Sequence, residues 1–236
     1  MSKRTWGVGL VCGLAIMICA TGSAGADDAK AAYLAMAPLS QYLMASPADE
    51  IALARSAAPA SIAADADVMT LGSHGYETAA KGKNGFVCMV WRSWTAGLSD
   101  PEFWNPKLRS PICLNAVAAR TVLPGYLERT TWVLAGVSRT DMIERTRAAV
   151  AANKFIMPAP GAMSFMMSKQ GYLGDAAGHW HPHLMFFVAR TDSSSWGANL
   201  RGSPVFAGQD DHDPITTFFV PVAKWSDETP AATETH

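Results

Sequence analysis

The stretch GHWHPHLMFFVAR, residues 178–190, places three histidines at alternate positions directly before an unbroken apolar run. The run from Leu184 to Ala189 shows no polar alternation, which predicts a strand that is covered on both faces and central in a sheet. Residues two apart on an extended chain point to the same side, so His179, His181 and His183 are expected to share one face. The stretch therefore predicts the middle of a sheet and a candidate site where that strand begins.

Further strands are predicted on both sides of this run. GAMSFMMSK (161–169) precedes it and ITTFFVPV (215–222) follows it, while residues 67–72, 75–81 and 86–94 form an earlier group. Asn84-Gly85, between the last two of these, is a strong hairpin signal. Residues 95–122 contain several Pro and Trp residues and are expected to be irregular. The sheet is expected to be mainly antiparallel.

Helices are predicted by their start and stop signals. In SPADEIALARSAAP (46–59), Ser46 is the expected N-cap and Pro47 the first helical residue. PGYLERTTWVLAG (124–136) is expected to end at Gly136, and SRTDMIERTRAAVAANK (138–154) to begin after a cap at Ser138. Helices, a hairpin, helices and then strands predict an α+β fold: a central mainly antiparallel sheet with N-terminal and mid-chain helices.

The N-terminal residues have the pattern of a secretory signal peptide. Lys3 and Arg4 precede an apolar stretch that ends at the small residues Ala24-Gly25-Ala26. That stretch is shorter than the roughly 20 residues that cross a bilayer. We expect residues 1–26 to be a cleaved signal peptide, 27–226 a single α+β domain and 227–236 a disordered tail. The predicted location is periplasmic or secreted, with no membrane span.

Charge and cysteine content narrow the expected partners. Without residues 1–26 the chain keeps 17 basic and 20 acidic residues, a net charge of −3. This mild acidity gives no electrostatic footprint for nucleic acid. Cys88 and Cys113 remain after cleavage and, in an oxidising compartment, are expected to form one disulfide. A metal site using the two thiolates is the alternative.

The histidines predict a metal site. At about 3.3 Å per residue, neighbouring members of the triplet are about 6.6 Å apart and the outer two about 13 Å apart, so a bend is needed to bring all three to one ion. Gly178 and Pro182 stand where such a bend fits. Additional ligands are expected from other segments: His74, His212, Asp175, Asp210, Asp211 and Asp213.

Zinc is the expected divalent metal. Three imidazoles and an open position suit Zn²⁺ that activates water, which makes a zinc-dependent hydrolase the first interpretation. Copper is the rival, because imidazole also suits copper and thioethers suit Cu(I). The methionines that favour copper are Met157, Met163, Met166 and Met167. Such Met-rich strands are more often simply core.

Three other interpretations remain open. The histidines can be structural, with His183 buried and hydrogen-bonded where its strand begins. His183 alone can act as a general acid or base. The protein can instead be a non-catalytic envelope protein that binds a small molecule or an envelope component through aromatic and Met-rich surface. For that last case Trp91, Trp94 and Trp104 are candidates to line a groove, although aromatic residues in a sheet are usually core.

HWHPH resembles the first histidine motif of cupins, where an HxH pair precedes a metal-binding Glu. It is also similar to the closing HxH of LAS-type zinc peptidases, which cut peptidoglycan. A larger part of the chain resembles a family of uncharacterised exported bacterial proteins. The segments that carry this resemblance are NGFVCMV (84–90), SPIC (110–113), MSFMMSK (163–169) and PHLMFF (182–187). It implies export and the paired cysteines, gives no activity, and centres on Pro182 and His183.

Overall fold

The computed structural model describes residues 33–179 and 181–231. In these ranges eight strands form one sheet in the order β2-β1-β3-β4-β5-β6-β8-β7. The strands are β1 (Asp67–Gly72), β2 (Gly75–Ala80), β3 (Val87–Trp91), β4 (Ser110–Leu114), β5 (Met163–Met166), β6 (His183–Ala189), β7 (Phe206–Gln209) and β8 (Ile215–Pro221). The helices are α1 (Pro47–Arg55), α2 (Ala60–Ala63), α3 (Ala116–Thr121), α4 (Leu123–Leu134) and α5 (Arg139–Ala151). The predicted α+β fold is confirmed.

The helix caps lie where the sequence places them. The Ser46 hydroxyl accepts a hydrogen bond from the Asp49 amide at 3.1 Å, and Pro47 is the first residue of α1. Ser138 caps α5 in the same way, through the amide of Asp141. Helix α4 is followed by Gly136 at φ +73°, in the left-handed region that glycine adopts most easily.

The β-hairpin predicted at Asn84-Gly85 was wrong. Strand β2 instead pairs with β1 across the two-residue turn Ser73-His74, and Gly75 there has φ +114°. Strand β3 pairs with the other side of β1, in parallel. The Asn84-Gly85 segment therefore belongs to a crossover between two strands that are not neighbours. Its turn signal is real, because the Asn84 side chain accepts from the Phe86 amide, but a local signal does not decide which strands pair.

The disulfide between Cys88 and Cys113 is confirmed. The two residues face each other in the register of β3 and β4, with their Cα atoms 4.0 Å apart, and both are fully buried. This pairing also corrects the expectation that residues 95–122 are irregular. Ser110–Leu114 is strand β4, and Ala116–Thr121 is helix α3.

The sheet is covered differently on its two faces. Helices α1 and α2 pack on one face of its first half, against Val68, Cys88 and Val90. Helices α3 and α4 pack on the opposite face, where the buried side chains are Met89, Trp91, Ile112, Leu114, Met166, Met185 and Phe187. The second face therefore carries a core that extends from β3 across to β6.

Strand β6 is interior to the sheet but is not covered equally on both faces. Met185 and Phe187 are 3% and 2% exposed, whereas Leu184, Phe186 and Val188 on the other face are half-buried. The expectation of complete cover on both faces was wrong. An apolar run predicted the interior position, but helices cover only one face of this half of the sheet.

Beside the sheet, a buried ion pair joins helix α1 to the residue that follows β3. Arg92 and Glu50 are 0% and 2% exposed, and their side chains are 2.9 Å apart. Arg92 also donates to the Tyr42 carbonyl at 2.7 Å, and Glu50 accepts from the Leu71 amide at 3.1 Å. Each charge is therefore hydrogen-bonded as well as paired.

The expected signal peptide, residues 1–26, lies outside the described residues. At the other end, residues 227–231 are ordered, since the Trp225 amide donates to the Thr229 carbonyl and Lys169 pairs with Asp227 at 2.8 Å. This part of the expected disordered tail is thus a turn, while residues 232–236 lie outside the described part. Within the described ranges, no helix is long and apolar enough to cross a membrane.

Candidate functional site

His183 is a buried side chain at the first position of β6. It is 2% exposed, its Nδ1–H donates to the main-chain oxygen of His181 at 2.7 Å, and its ring lies 5.8 Å from that of Phe219. Burial lowers the pKa of His183 to about 4, despite the opposing hydrogen bond to His181. The imidazole is therefore neutral at pH 7, with Nε2 as its unprotonated nitrogen.

The three histidines of the quoted stretch do not form one cluster. His181 and His183 border the same small recess of about 10 Å³. The exposed His179 instead donates from Nδ1 to the Gly171 carbonyl, with its ring edge-on to Tyr172. The expectation of a shared face was wrong because the strand begins only at His183. Residues 178 and 179 lie in a bend outside the strand, so side-chain alternation does not apply at His179.

The two more distant histidines are also separate from this stretch. His74 is exposed in the β1–β2 turn, and β1 lies four strand positions from β6, or about 19 Å. His212 precedes β8 at its Ile215 end, whereas His183 faces Pro221 at the other end, about 20 Å along the strand. Among the described residues, no group of three His, Cys, Asp or Glu side chains is arranged to hold a metal ion. Metal binding, and zinc over copper, remain predictions.

The expected carboxylate ligands have other partners. Asp175 accepts hydrogen bonds from the hydroxyls of Tyr172 and Tyr33, which lower the pKa of its carboxyl. Asp213 pairs with Arg129 at 3.3 Å. Asp211 forms an ion pair with Arg190 at 3.0 Å. Asp210 accepts hydrogen bonds from the amides of Ser99 and His212, both at 2.7 Å.

The methionines proposed for copper are also dispersed. Met166 borders a large cavity on the helix-covered face, and Met157 borders a separate recess of about 70 Å³ beside α4. Met163 and Met166 belong to β5, where odd and even positions face opposite sides of the sheet. The described geometry gives these thioethers no common centre.

The large cavity is partly open and has a volume of about 560 Å³. It lies between the sheet face of β5, β6 and β8 on one side and helix α4 and the loop after β3 on the other. Its apolar wall is made of Trp91, Leu108, Tyr126, Met166, Leu173, Met185, Phe187, Ile215 and Phe219. Its polar lining includes Thr95, Ser99, Asp100, Ser110, His183, Gln209, Asp210, Asp213 and Thr217.

Strand alternation creates the floor of this cavity. His183, Met185 and Phe187 are two residues apart on β6 and therefore share a face. On β7, Gly208 leaves space for the ring of Phe219, since a Cβ at that position would lie 2.9 Å from the ring. A larger residue at position 208 would push this ring toward the cavity or away from the sheet.

Trp91 provides an unused hydrogen-bond donor in the cavity wall. It is 6% exposed, and its ring lies 4.6 Å from that of Tyr126 on α4. Its indole Nε1–H has no hydrogen-bond partner among the described residues. A buried donor without a partner costs about 1–3 kcal/mol.

Two carboxyls mark the end of the cavity where the loop after β3 meets the β7–β8 turn. Burial raises the pKa of Asp100, and the nearby charges of Glu102 and Asp210 add to this effect. Burial also acts on Asp210, but hydrogen bonds from Ser99 and His212 outweigh it and hold the pKa of Asp210 below its usual range. Asp210 is therefore the carboxylate that stays charged most readily.

Sequence reasoning did not identify this cavity. Of the three tryptophans considered for a groove, Trp91 borders it, while Trp94 and Trp104 are core residues, 0% and 8% exposed. The alternation of His183, Met185 and Phe187 was the available signal, because it fixes which side chains share the buried face. No family model, curated protein or solved structure matches the chain, so the resemblance to exported bacterial proteins remains a prediction.

Proposed function

We propose that this is an exported, non-catalytic protein that binds a small, largely apolar molecule in the cavity above β6 and β8. The observation that carries the proposal is the cavity itself. Its volume of about 560 Å³ falls within the roughly 300–1,000 Å³ of ligand pockets in proteins. Protein interiors are otherwise close-packed, with few voids larger than a water molecule.

The composition of the wall supports an apolar ligand. Met185 and Phe187 on β6, Phe219 on β8 and Trp91 at the end of β3 come from three strands and border the same space. A ligand that removes this apolar surface from water gains roughly 25 cal/mol of binding free energy per Å² of apolar area that it covers. A few polar groups at the edges of the space would then orient the ligand.

Export is supported by the N-terminal sequence and by the disulfide. The Lys3-Arg4 pattern with its apolar stretch is typical of a signal peptide, and the bond between Cys88 and Cys113 suits an oxidising compartment. N-terminal sequencing of the protein from the envelope fraction tests this part. A mature chain that begins at Asp27 supports export, whereas an intact Met1 in the cytoplasm contradicts it.

Binding is tested with the neutral, polarity-sensitive dye N-phenyl-1-naphthylamine. We expect a saturable, one-to-one rise in dye fluorescence with the wild-type protein. Thr217→Phe places an aromatic ring in the cavity from strand β8 and should abolish the rise. Thr78→Phe is the matched control, since Thr78 is an exposed residue on β2. Unsaturable dye binding by wild type, or full binding by a folded Thr217→Phe variant, would contradict the proposal.

A further inference from the structure

The charged side chains that line the cavity are all acidic. Three carboxyls border it, those of Asp100, Asp210 and Asp213, and its described lining contains no lysine or arginine. His183 adds no charge, because burial keeps it neutral at pH 7. A bound molecule therefore meets either neutral groups or carboxyl groups.

Neighbouring arginines do not neutralise two of these carboxyls by direct pairing. Arg129 pairs with Asp213, so that carboxylate is compensated. Arg139 lies near enough to lower the pKa of Asp100, but its guanidinium donates to the Leu98 carbonyl at 2.6 and 3.0 Å.

Arg190 reaches the main-chain oxygen of Asp210 at 2.6 Å and pairs with the side chain of Asp211 at 3.0 Å. Among the described residues, neither Asp100 nor Asp210 has an ion-pair partner within 4.0 Å.

The Asp210 carboxylate is held in place. Its Oδ2 accepts from the Ser99 amide, and its Oδ1 accepts from the His212 amide, both at 2.7 Å. The Ser99 bond fixes the β7–β8 turn to the loop after β3, and the His212 bond lies within the turn. The carboxylate therefore does not need to be ordered when a ligand arrives. Preorganised charge of this kind increases affinity because less conformational entropy is lost on binding.

Trp91 belongs to the wall of the same cavity. The Trp91 indole N–H is a buried donor without a partner among the described residues. Trp91 ends β3, and the loop that follows it carries Asp100. The wall thus offers charged acceptors and an apolar surface in one partly open space.

Resting on the proposed binding function, we infer that the ligand is an organic amine. Its protonated nitrogen lies at the Asp100 and Asp210 carboxyls, and its apolar body covers Met185, Phe187 and Phe219. Hydrogen bonds to a charged group contribute roughly 1.5–3 kcal/mol, which is about ten- to a hundredfold in affinity.

The test uses three matched naphthalene probes that displace N-phenyl-1-naphthylamine from the wild-type protein. They are 2-(1-naphthyl)ethylamine, 2-(1-naphthyl)ethanol and 3-(1-naphthyl)propanoate. We expect the amine to bind at least about tenfold more tightly than the alcohol, and the carboxylate to bind most weakly. Equal affinity of the amine and the alcohol, or failure of the amine to displace bound dye, overturns the amine inference but leaves the binding function. Absence of saturable dye binding overturns both.

Substitutions locate the charge. Asp100→Asn keeps a carbonyl acceptor for the Glu102 amide and should reduce amine affinity about tenfold toward that of the alcohol, without changing alcohol affinity. Asp210→Asn keeps an acceptor for only one of the two amides that Asp210 binds, so its effect is read from the ratio of amine to alcohol affinity, which should also fall about tenfold. Asp211→Asn removes the same charge from the adjacent residue, which does not border the cavity, and should leave all three affinities unchanged. Amine affinity that survives both Asp100→Asn and Asp210→Asn, or falls equally in Asp211→Asn, overturns the assignment.

Discussion

Acidification is expected to destabilise the protein through His183. The pKa of this imidazole is about 6.5 in an unfolded chain and about 4 in the fold, where the side chain is 2% exposed. The unfolded chain therefore takes up a proton at a higher pH than the folded protein does. The free energy of unfolding keeps its full value above about pH 6.5, falls as the pH drops toward 4, and levels off below that.

The difference between the two pKa values corresponds to roughly 3 kcal/mol, which is a large part of the 5–15 kcal/mol of a typical domain. Urea denaturation at pH 7.5, 5.5 and 4.0 measures it. Other groups also titrate in this range, so the informative quantity is the difference between wild type and His183→Gln. We expect the wild type to lose about 3 kcal/mol more than this variant between pH 7.5 and 4.0.

His183→Gln also loses packing against Phe219, but this loss is the same at every pH and does not alter the comparison. His74→Gln is the control, since His74 is exposed and should leave the pH dependence of the wild type unchanged. If wild type and His183→Gln lose stability in parallel on acidification, His183 is not a buried neutral histidine and the reasoning fails.

Three further outcomes are expected. A Cys88→Ala, Cys113→Ala double variant should unfold at a lower urea concentration, because opening a loop of 25 residues should lower the free energy of unfolding by about 3 kcal/mol. A decrease under about 1 kcal/mol would contradict a stabilising disulfide. Glu50→Ala leaves the buried guanidinium of Arg92 without its carboxylate and should lower the free energy of unfolding by about 3–5 kcal/mol in the same assay. A variant as stable as the wild type would refute the buried ion pair. The described residues bring no three ligands together, so elemental analysis after incubation with Zn²⁺ or Cu²⁺ and gel filtration should find equal metal in wild type and a His181→Ala, His183→Ala double variant. Stoichiometric metal in wild type alone would instead support the predicted histidine metal site.

Local sequence signals predicted the elements of the fold better than their pairing. The caps at Ser46 and Ser138 act within one helical turn, so three residues are enough to predict each helix start. The pairing of β3 with β1, in contrast, depends on contacts across the whole sheet. Strand β4 was missed because it is short and contains Pro111, and its position depends on β3 and β5 on either side.

The candidate site was less predictable because it combines distant segments. The histidine hypothesis assumed an extended chain from residue 179 onward, but His179 lies in a bend and the strand begins only at His183. The acidic end of the cavity joins Asp100 to Asp210, which are far apart in sequence and meet only because the loop after β3 reaches the β7–β8 turn. Single-sequence patterns show which residues share a strand face, but they do not show what covers that face.

Polar anchors explain why the space above β6 and β8 remains open. On the α4 side, Arg129 donates to the Ala96 carbonyl at 2.9 Å, and on the turn side Asp210 accepts from the Ser99 amide at 2.7 Å. The loop that roofs the cavity is therefore held at two points by charge-assisted hydrogen bonds, which are stronger than neutral ones. Closure of the loop onto Met185 would bury apolar area but would break both anchors. The two anchors therefore oppose collapse of the loop into the cavity.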